Sequence, residues 1–244
     1  MMNYSVMTTS DKSYFPHLKI LINSILDKCD SEKLKNIYII DNGLLEEQIN
    51  YLKEKSDIIN ILTTGVKTNF NGGTWGDDWQ TNVKSKTIHL ENVVSRIEEP
   101  LLMLDADMLI VKDLYTLLDK GGDLQVCVRP NNSVRYIGSY FFSINHEKSL
   151  PFIKDWKELT QSKSGRGAHE SPSLTEIVDR YKSNGNIDIV EMEQNVVNLY
   201  LPPTLEETVI VHFKGSALHG TFEEQYKSRI EDRNWGEYVK DYLI

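Results

Sequence analysis

Two cysteines, Cys29 and Cys127, are all that 244 residues contain. Both stand in apolar surroundings, "ILDKCD" and "LQVCVRP", so a disulfide framework is excluded and two buried thiols are expected. No apolar run reaches the roughly 18 residues that a membrane span requires. The opening stretch "MMNYSVMTTS" has neither the charged n-region nor the long apolar h-region of a secretory signal. The expected place of the chain is the cytoplasm, free or at the periphery of a membrane. Positive charge is also short. Lys and Arg number 27 against 36 Asp and Glu, the net charge is −9, and no basic run or stripe appears. Nucleic acid is therefore not an expected partner. An anionic ligand would need local positive charge or a metal. With no repeat, low-complexity tract or linker, residues 1–244 are expected to form one domain; the oligomeric state is open.

What is present is an ordinary globular composition, 40% hydrophobic and 26% charged. Short apolar runs alternate with helical patterns. "YSVMTT" (4–9), "NIYIID" (36–41) and "IINILTT" (58–64) read as strands. Between them, "YFPHLKILINSILDKC" (14–29) places Leu18, Leu21, Ile22 and Ile25 on one helical face, and "LLEEQINYLKEK" (44–55) is amphipathic. Such alternation predicts βαβ units and a mostly parallel sheet flanked by helices. A polar, Gly-rich loop holding Trp75 and Trp79 (69–80) precedes a helix over 83–97. The strand "PLLMLDADM", a short helix over 111–120, strands over 124–129 and 136–145, a helix in "SLPFIKDWKELTQ" with Pro151 near its first turn, a loop over 163–172 and a helix in "SPSLTEIVDRYKS" follow. "TVIVHFKG" (208–215) is a late strand, and the polar C-terminal stretch reads as one or two helices.

The stretch with most chemical content is "LLMLDADMLIVKDL" (101–114). Two carboxylates, Asp105 and Asp107, interrupt its most apolar part with only Ala106 between them. Burying an unpaired carboxylate costs several kcal/mol. Residues i and i+2 of a strand face the same side, so the pair would project together where parallel sheets bind ligands, beyond a strand's carboxyl end. Two carboxylates so close call for a cation, most simply a hard divalent metal. A calcium loop is ruled out because Met108, Leu109 and Ile110 stand where further oxygen ligands and a glycine are needed. A phosphatase of the haloacid-dehalogenase type would carry Gly-Thr after the pair, where this chain has Met108-Leu109. A third chemistry for such a pair is nucleotide-sugar transfer, with the pair holding a metal on a diphosphate leaving group. A third ligand is offered by "VIVHFKGSALHG", where His212 follows an apolar run; an imidazole favours Mn²⁺ over Mg²⁺.

"LMLDADMLIVKDLYTLL", "VHFKG" and, less specifically, "VMTTSDKSYFPHLKILINSIL" resemble the motifs of retaining glycosyltransferases of family eight, which includes glycogenin and bacterial lipopolysaccharide galactosyltransferases. The resemblance covers roughly residues 4 to 220. It implies a GT-A type α/β fold, a UDP-sugar donor, Mn²⁺ (or Mg²⁺), a carbohydrate or glycoconjugate acceptor, and transfer with retention. Carried over, Asp105, Asp107 and His212 would ligate the metal, and Thr8, Thr9 and Tyr14 would line the base site. Asp105, Ala106, Asp107, Lys214 and Gly215 would meet the diphosphate. The family's cation ahead of the D-x-D strand is matched by Lys84 or Lys86, with Lys86 preferred. Glu170, in "AHESPSL", takes the place of the family's sugar-flanking Asp, and Glu170 and Lys86 are the candidate catalytic residues. Trp75 and Trp79 are candidates for an acceptor platform, and Arg166 and His169 for acceptor contacts.

The sequence also departs from that pattern. Leu218 stands where the family's phosphate-gripping Lys is expected, leaving Lys214 or His219 to substitute. Gly138 and Ser139 replace the family's Asn-Ser/Ala start of the following strand. A non-catalytic nucleotide-sugar-binding relative is one alternative reading. A sugar nucleotidyltransferase is another, although "TTSDKSYFPHLK" is not the Gly-rich, cationic loop such an enzyme carries.

Overall fold

A computed structural model describes residues 2–68, 77–165, 169–198, 206–213 and 242. Its centre is a seven-stranded mixed sheet of order β3-β2-β1-β4-β7-β6-β8. The strands are β1 (Tyr4–Ser10), β2 (Leu34–Asp41), β3 (Ile59–Thr63), β4 (Leu101–Asp105), β6 (Leu124–Val128), β7 (Tyr136–Ser143) and β8 (Ile189–Glu193). β1 pairs in parallel with β2 on one side and β4 on the other, and β2 pairs in parallel with β3. Only β7 runs against its neighbours β4 and β6. A separate two-stranded sheet joins β5 (Met108–Ile110) to β9 (Ile210–His212).

The helices cover both faces of the sheet, which explains why β4 reads as an unbroken apolar run. Leu102 and Leu104 pack into one core with Leu18, Leu21, Ile22 and Ile25 of α1 (Phe15–Lys28), the face anticipated from the helical spacing. Leu101 and Met103 face the other core with Leu90 of α3 (Asp77–Val94), Trp156 of α4 (His146–Ser162) and Leu174 of α5 (Glu170–Asn184). The four apolar side chains of β4 are at most 1% exposed, and each contributes about 1.5–3 kcal/mol of apolar burial. Helix α2 (Glu46–Lys55) bridges β2 and β3, and α6 (Gln194–Val197) leads from β8. No helix among the described residues is long and apolar enough to cross a membrane.

Several boundaries differ from the sequence-based expectation. α3 begins at Asp77 and so takes Trp79 out of the anticipated loop. Asp77 and Asp78 lie in its first turn, where carboxylates are favoured by the helix dipole. α4 starts at His146, capped by Asn145, whose side chain accepts from the Lys148 amide, so Pro151 lies inside the helix rather than near its first turn. The segment after Asp113 is a 3-10 helix (Leu114–Lys120). β8 and α6 were not anticipated: β8 is a five-residue edge strand with Met192 as its one buried side chain, and its Val-Glu-Met-Glu alternation is too short to stand out.

Most important, β4 ends at Asp105. The chain turns through Ala106 and Asp107 and leaves the central sheet as β5. The two carboxylates therefore do not share a strand face, contrary to the i, i+2 expectation. They converge because a turn folds Asp107 back, held where the Phe213 amide donates to the Asp107 carbonyl at 2.8 Å.

Candidate functional site

Chain order places the site. After β1 the chain adds β2 and β3 to one side, then crosses to add β4 on the other. At such a switch point the loops beyond the two strand ends diverge and leave a crevice. Thr9 and Asp105 are register partners at those ends. A cleft of about 520 Å³ opens there, lined among others by Thr9, Asp11, Tyr14, Trp79, Lys86 and His169.

On its floor lie Asp105, Ala106, Asp107 and His212. His212 arrives from 105 residues beyond Asp107 because β9 pairs antiparallel to β5, with His212 opposite Met108. One ligand atom from each of Asp105, Asp107 and His212 lies within 4.8 Å of the others. His212 Nε2 is 3.1 Å from Asp107 Oδ1 and 4.0 Å from Asp105 Oδ2. Burial and the Asp107 charge push the Asp105 pKa up against the pull of Lys86. Asp107 is also buried, but His212 outweighs that and holds its pKa down to about 2. Two carboxylates and one imidazole, crowded together with one carboxyl destabilised in its charged form, fit a divalent cation. The mixed oxygen and nitrogen set suits Mn²⁺.

Beside this cluster is a buried ion network. Lys86, 3% exposed on α3, donates to Asp105 Oδ1 at 2.7 Å, to Glu170 Oε1 at 2.9 Å and to the Gly138 carbonyl at 3.4 Å. Its three ammonium protons thus meet three acceptors. Burial works against the charge, yet Asp105 and Glu170 overcome it and raise the Lys86 pKa above the ordinary lysine value. Burial likewise opposes the Glu170 carboxylate, but Lys86 and then His169 hold its pKa down to about 2. Glu170 Oε2 is buried and makes no hydrogen bond, with His169 Nδ1 at 3.7 Å. The Glu170 backbone is fixed by the Trp156 indole N–H, which donates to its carbonyl at 2.9 Å.

Gly138 is where the resemblance predicts an Asn, and the structure gives the reason for the exchange. A Cβ at 138 would lie 2.2 Å from Glu170 Cγ. Glycine at 138 and glutamate at 170 are therefore one packing solution.

The anticipated residues divide as follows. Asp105, Ala106, Asp107, His212, Lys86, Glu170, Thr9 and Tyr14 all line the cleft. Burial, then Asp107 and Asp105, push the Tyr14 hydroxyl well above its ordinary pKa, so it enters the site as a neutral ring. Thr8 is not among the lining residues: it is fully buried, with its hydroxyl unpartnered. The cleft lies beyond the carboxyl end of β1, so Thr9, Ser10 and Asp11 reach it and Thr8, one residue further back in the strand, does not. Lys84 also lies elsewhere, its ammonium donating to the Lys163 carbonyl at 2.6 Å, which ties α3 to the end of α4. Trp79 and His169 meet edge to face at 5.5 Å and both line the cleft. Trp75, Arg166, Lys214, Gly215, Leu218 and His219 lie outside the described residues.

Sequence reasoning missed several residues of the site, among them Asn82, Arg129 and Asn132 on the cleft wall and two that position other groups. Asp11 caps the turn into α1, its Oδ1 accepting from the Ser13 amide at 3.0 Å and the Tyr14 amide at 3.1 Å, and thereby positions Tyr14. The Asp-x-Ser spacing of Asp11 and Ser13 before a helical run was its available signal. Asn198, fully buried, contacts His212 from behind; no motif announced it.

No protein-family model and no curated protein matches the sequence. Solved structures do match in fold. The WbbM bifunctional glycosyltransferase, in its apo form, superposes with a TM-score of 0.63 at 10% identity, over 99% of this chain and 52% of that one. This chain thus spans about half the length of WbbM. An active-site mutant of LgtC gives a TM-score of 0.56 at 15% identity, over 85% of this chain and 86% of that one. The galactosyltransferase LgtC in complex with donor and acceptor sugar analogues gives 0.53 at 13% identity, with the same coverage. With the mixed seven-stranded sheet and its flanking helices, these likenesses establish the fold as that of the GT-A glycosyltransferases.

Proposed function

We propose that this chain, as one domain, is a metal-dependent glycosyltransferase that moves a hexose from a UDP-sugar to a glycan acceptor with retention of configuration. The observation that carries the proposal is the Asp105, Asp107 and His212 cluster, with its ligand atoms within 4.8 Å of one another, on the floor of a cleft that also holds the Lys86–Glu170 pair. A divalent cation bound by those three residues supplies Lewis-acid neutralisation of the departing diphosphate.

The chain's own residues account for the remaining requirements. Thr9 and Tyr14 lie on the β1 side of the cleft, where a neutral ring offers a stacking face to a base. Lys86 brings a fixed positive charge within reach of the diphosphate and sugar. Glu170 Oε2, buried with no hydrogen bond and with His169 Nδ1 3.7 Å away, can accept a hydrogen bond from a sugar hydroxyl. Trp79 and His169 present aromatic surface at the rim, suited to the C–H face of an acceptor sugar. The turn after β1 supports transfer over nucleotide synthesis: Asp11 spends both carboxylate oxygens on protein donors there, and no glycine-rich phosphate cradle follows the strand.

The test is a panel of UDP-sugars incubated with the protein and Mn²⁺, read as UDP released, with proton NMR of any transferred product. The expected result is release from at least one UDP-hexose that depends on the metal, and a product keeping the donor's anomeric configuration. Tight UDP binding with no release from any donor would favour a non-catalytic binder. An inverted product would overturn retention.

A further inference from the structure

Behind the cleft floor, His212 is held by a side chain that touches neither the cleft nor solvent. Asn198 is 0% exposed. Its Oδ1 lies 2.5 Å from His212 Nδ1 and accepts from the Ser139 hydroxyl at 3.1 Å. A side-chain oxygen at that distance requires a proton on Nδ1, since two lone pairs would repel. With Nδ1 committed, Nε2 is the nitrogen left for Asp107 and Asp105, at 3.1 and 4.0 Å. The two ring nitrogens thus have separate duties, one structural and one facing the carboxylates.

The contact is built in from several directions. Asn198 follows α6, and its amide donates to the Gln194 carbonyl at 3.0 Å. α6 is tied to the strand carrying His212 by the Val209 amide on the Val196 carbonyl (2.8 Å) and the Thr208 hydroxyl on the Asn195 carbonyl (2.8 Å). Ser139 comes from β7, next to Gly138, whose carbonyl receives Lys86. Asn198 Nδ2 has no hydrogen-bond partner although it is buried. Burying half an amide unpaired is costly, so packing alone would favour an apolar residue here. The residue is explained by what its oxygen does.

We infer that Asn198 is a positioning residue for the metal site: its side-chain oxygen fixes the proton of His212 on Nδ1 and turns Nε2 toward the carboxylate pair as a ligand. The inference rests on the metal-site reading above. Partners behind a ligating histidine typically govern 10- to 100-fold in metal affinity.

The test uses the full chain without donor or acceptor. Mn²⁺ affinity is measured by calorimetric titration for the wild type, Asn198→Leu and Asn198→Asp, with circular dichroism as a folding check. Asn198→Leu removes the acceptor and should weaken Mn²⁺ by about 10- to 100-fold. Asn198→Asp keeps an oxygen and should bind as tightly as the wild type or better. In parallel, ¹⁵N-edited NMR of the metal-free protein should show a His212 Nδ1–H sheltered from exchange in the wild type and in Asn198→Asp, and not in Asn198→Leu. If Asn198→Leu folds and keeps both wild-type affinity and a sheltered Nδ1–H, the positioning role is wrong while the metal site stands. Should the wild type bind no Mn²⁺, the metal reading itself fails and the ligand role of His212 goes with it.

Discussion

Lys86→Met should be among the most damaging single substitutions in the protein, to stability and activity alike. Methionine nearly matches the buried stem in volume, so the loss is electrostatic. Without the ammonium, the Glu170 carboxylate at 7% side-chain exposure and the Asp105 carboxylate at 25% lose the cation that bridges them. Removing one partner of a buried pair costs about 3–5 kcal/mol, and partial exposure of Asp105 places the expected loss at the lower end. For a chain of this size that is a fall in Tm on the order of 10 °C. The double variant Lys86→Met/Glu170→Gln removes the stranded charge and should recover most of that Tm. It should still release UDP at least about 100-fold more slowly, because the fixed positive charge beside the leaving group is gone. Thermal unfolding and the donor assay on the two variants separate these effects. A Lys86→Met protein as stable as the wild type would show that the network is not a net stabiliser. Full activity in the double variant would remove Lys86 from the chemistry.

The second large effect is expected from Asp107→Asn. The change keeps the shape and removes the charge. It takes away one of the three proposed metal ligands and the partner that His212 contacts at 3.1 Å. An amide can still occupy the turn, and the Asp107 carbonyl that receives the Phe213 amide is unaffected, so the fold should survive. The neutralisation lost at the leaving group is worth several kcal/mol, which at about 1.4 kcal/mol per factor of ten predicts a loss near 10³-fold in metal-dependent UDP release. Raising Mn²⁺ should restore part of it if the loss lies in affinity. A variant with wild-type activity at low Mn²⁺ would show that Asp107 is not a ligand.

Much of this was legible in the sequence because burial leaves strong signals. β4 is covered on both faces, so it appears as an apolar run, and carboxylates ending such a run stand out. His212 was legible for the same reason, as a polar residue at the end of a buried strand. The means by which Asp105 and Asp107 meet was not legible: a strand and a turn both bring i and i+2 together, and only the pairing of β5 with β9 decides between them. Lys84 and Lys86, two residues apart on one helix, differ by more than half a turn, and Lys86 is the one that shares the buried stripe of Leu90 and Val93. Trp79 was misplaced because the glycine-rich sequence just upstream reads as a loop that runs on through the polar Asp77 and Asp78. Asn198 left no signal because one asparagine after a four-residue helix resembles any loop residue until His212 is seen against it.

The central claim is that Asp105, Asp107 and His212 join a divalent cation to a nucleotide diphosphate in this cleft. It is tested most directly by thermal unfolding of the wild type with UDP alone, Mn²⁺ alone, and both together. A ligand set that binds only the native state at about 100 times its Kd adds about 2.7 kcal/mol. The account predicts that UDP with Mn²⁺ raises Tm by several degrees, well beyond the sum of the two separate shifts, and that this excess disappears in Asp107→Asn. No excess stabilisation in the wild type, or an equal excess in Asp107→Asn, would contradict it.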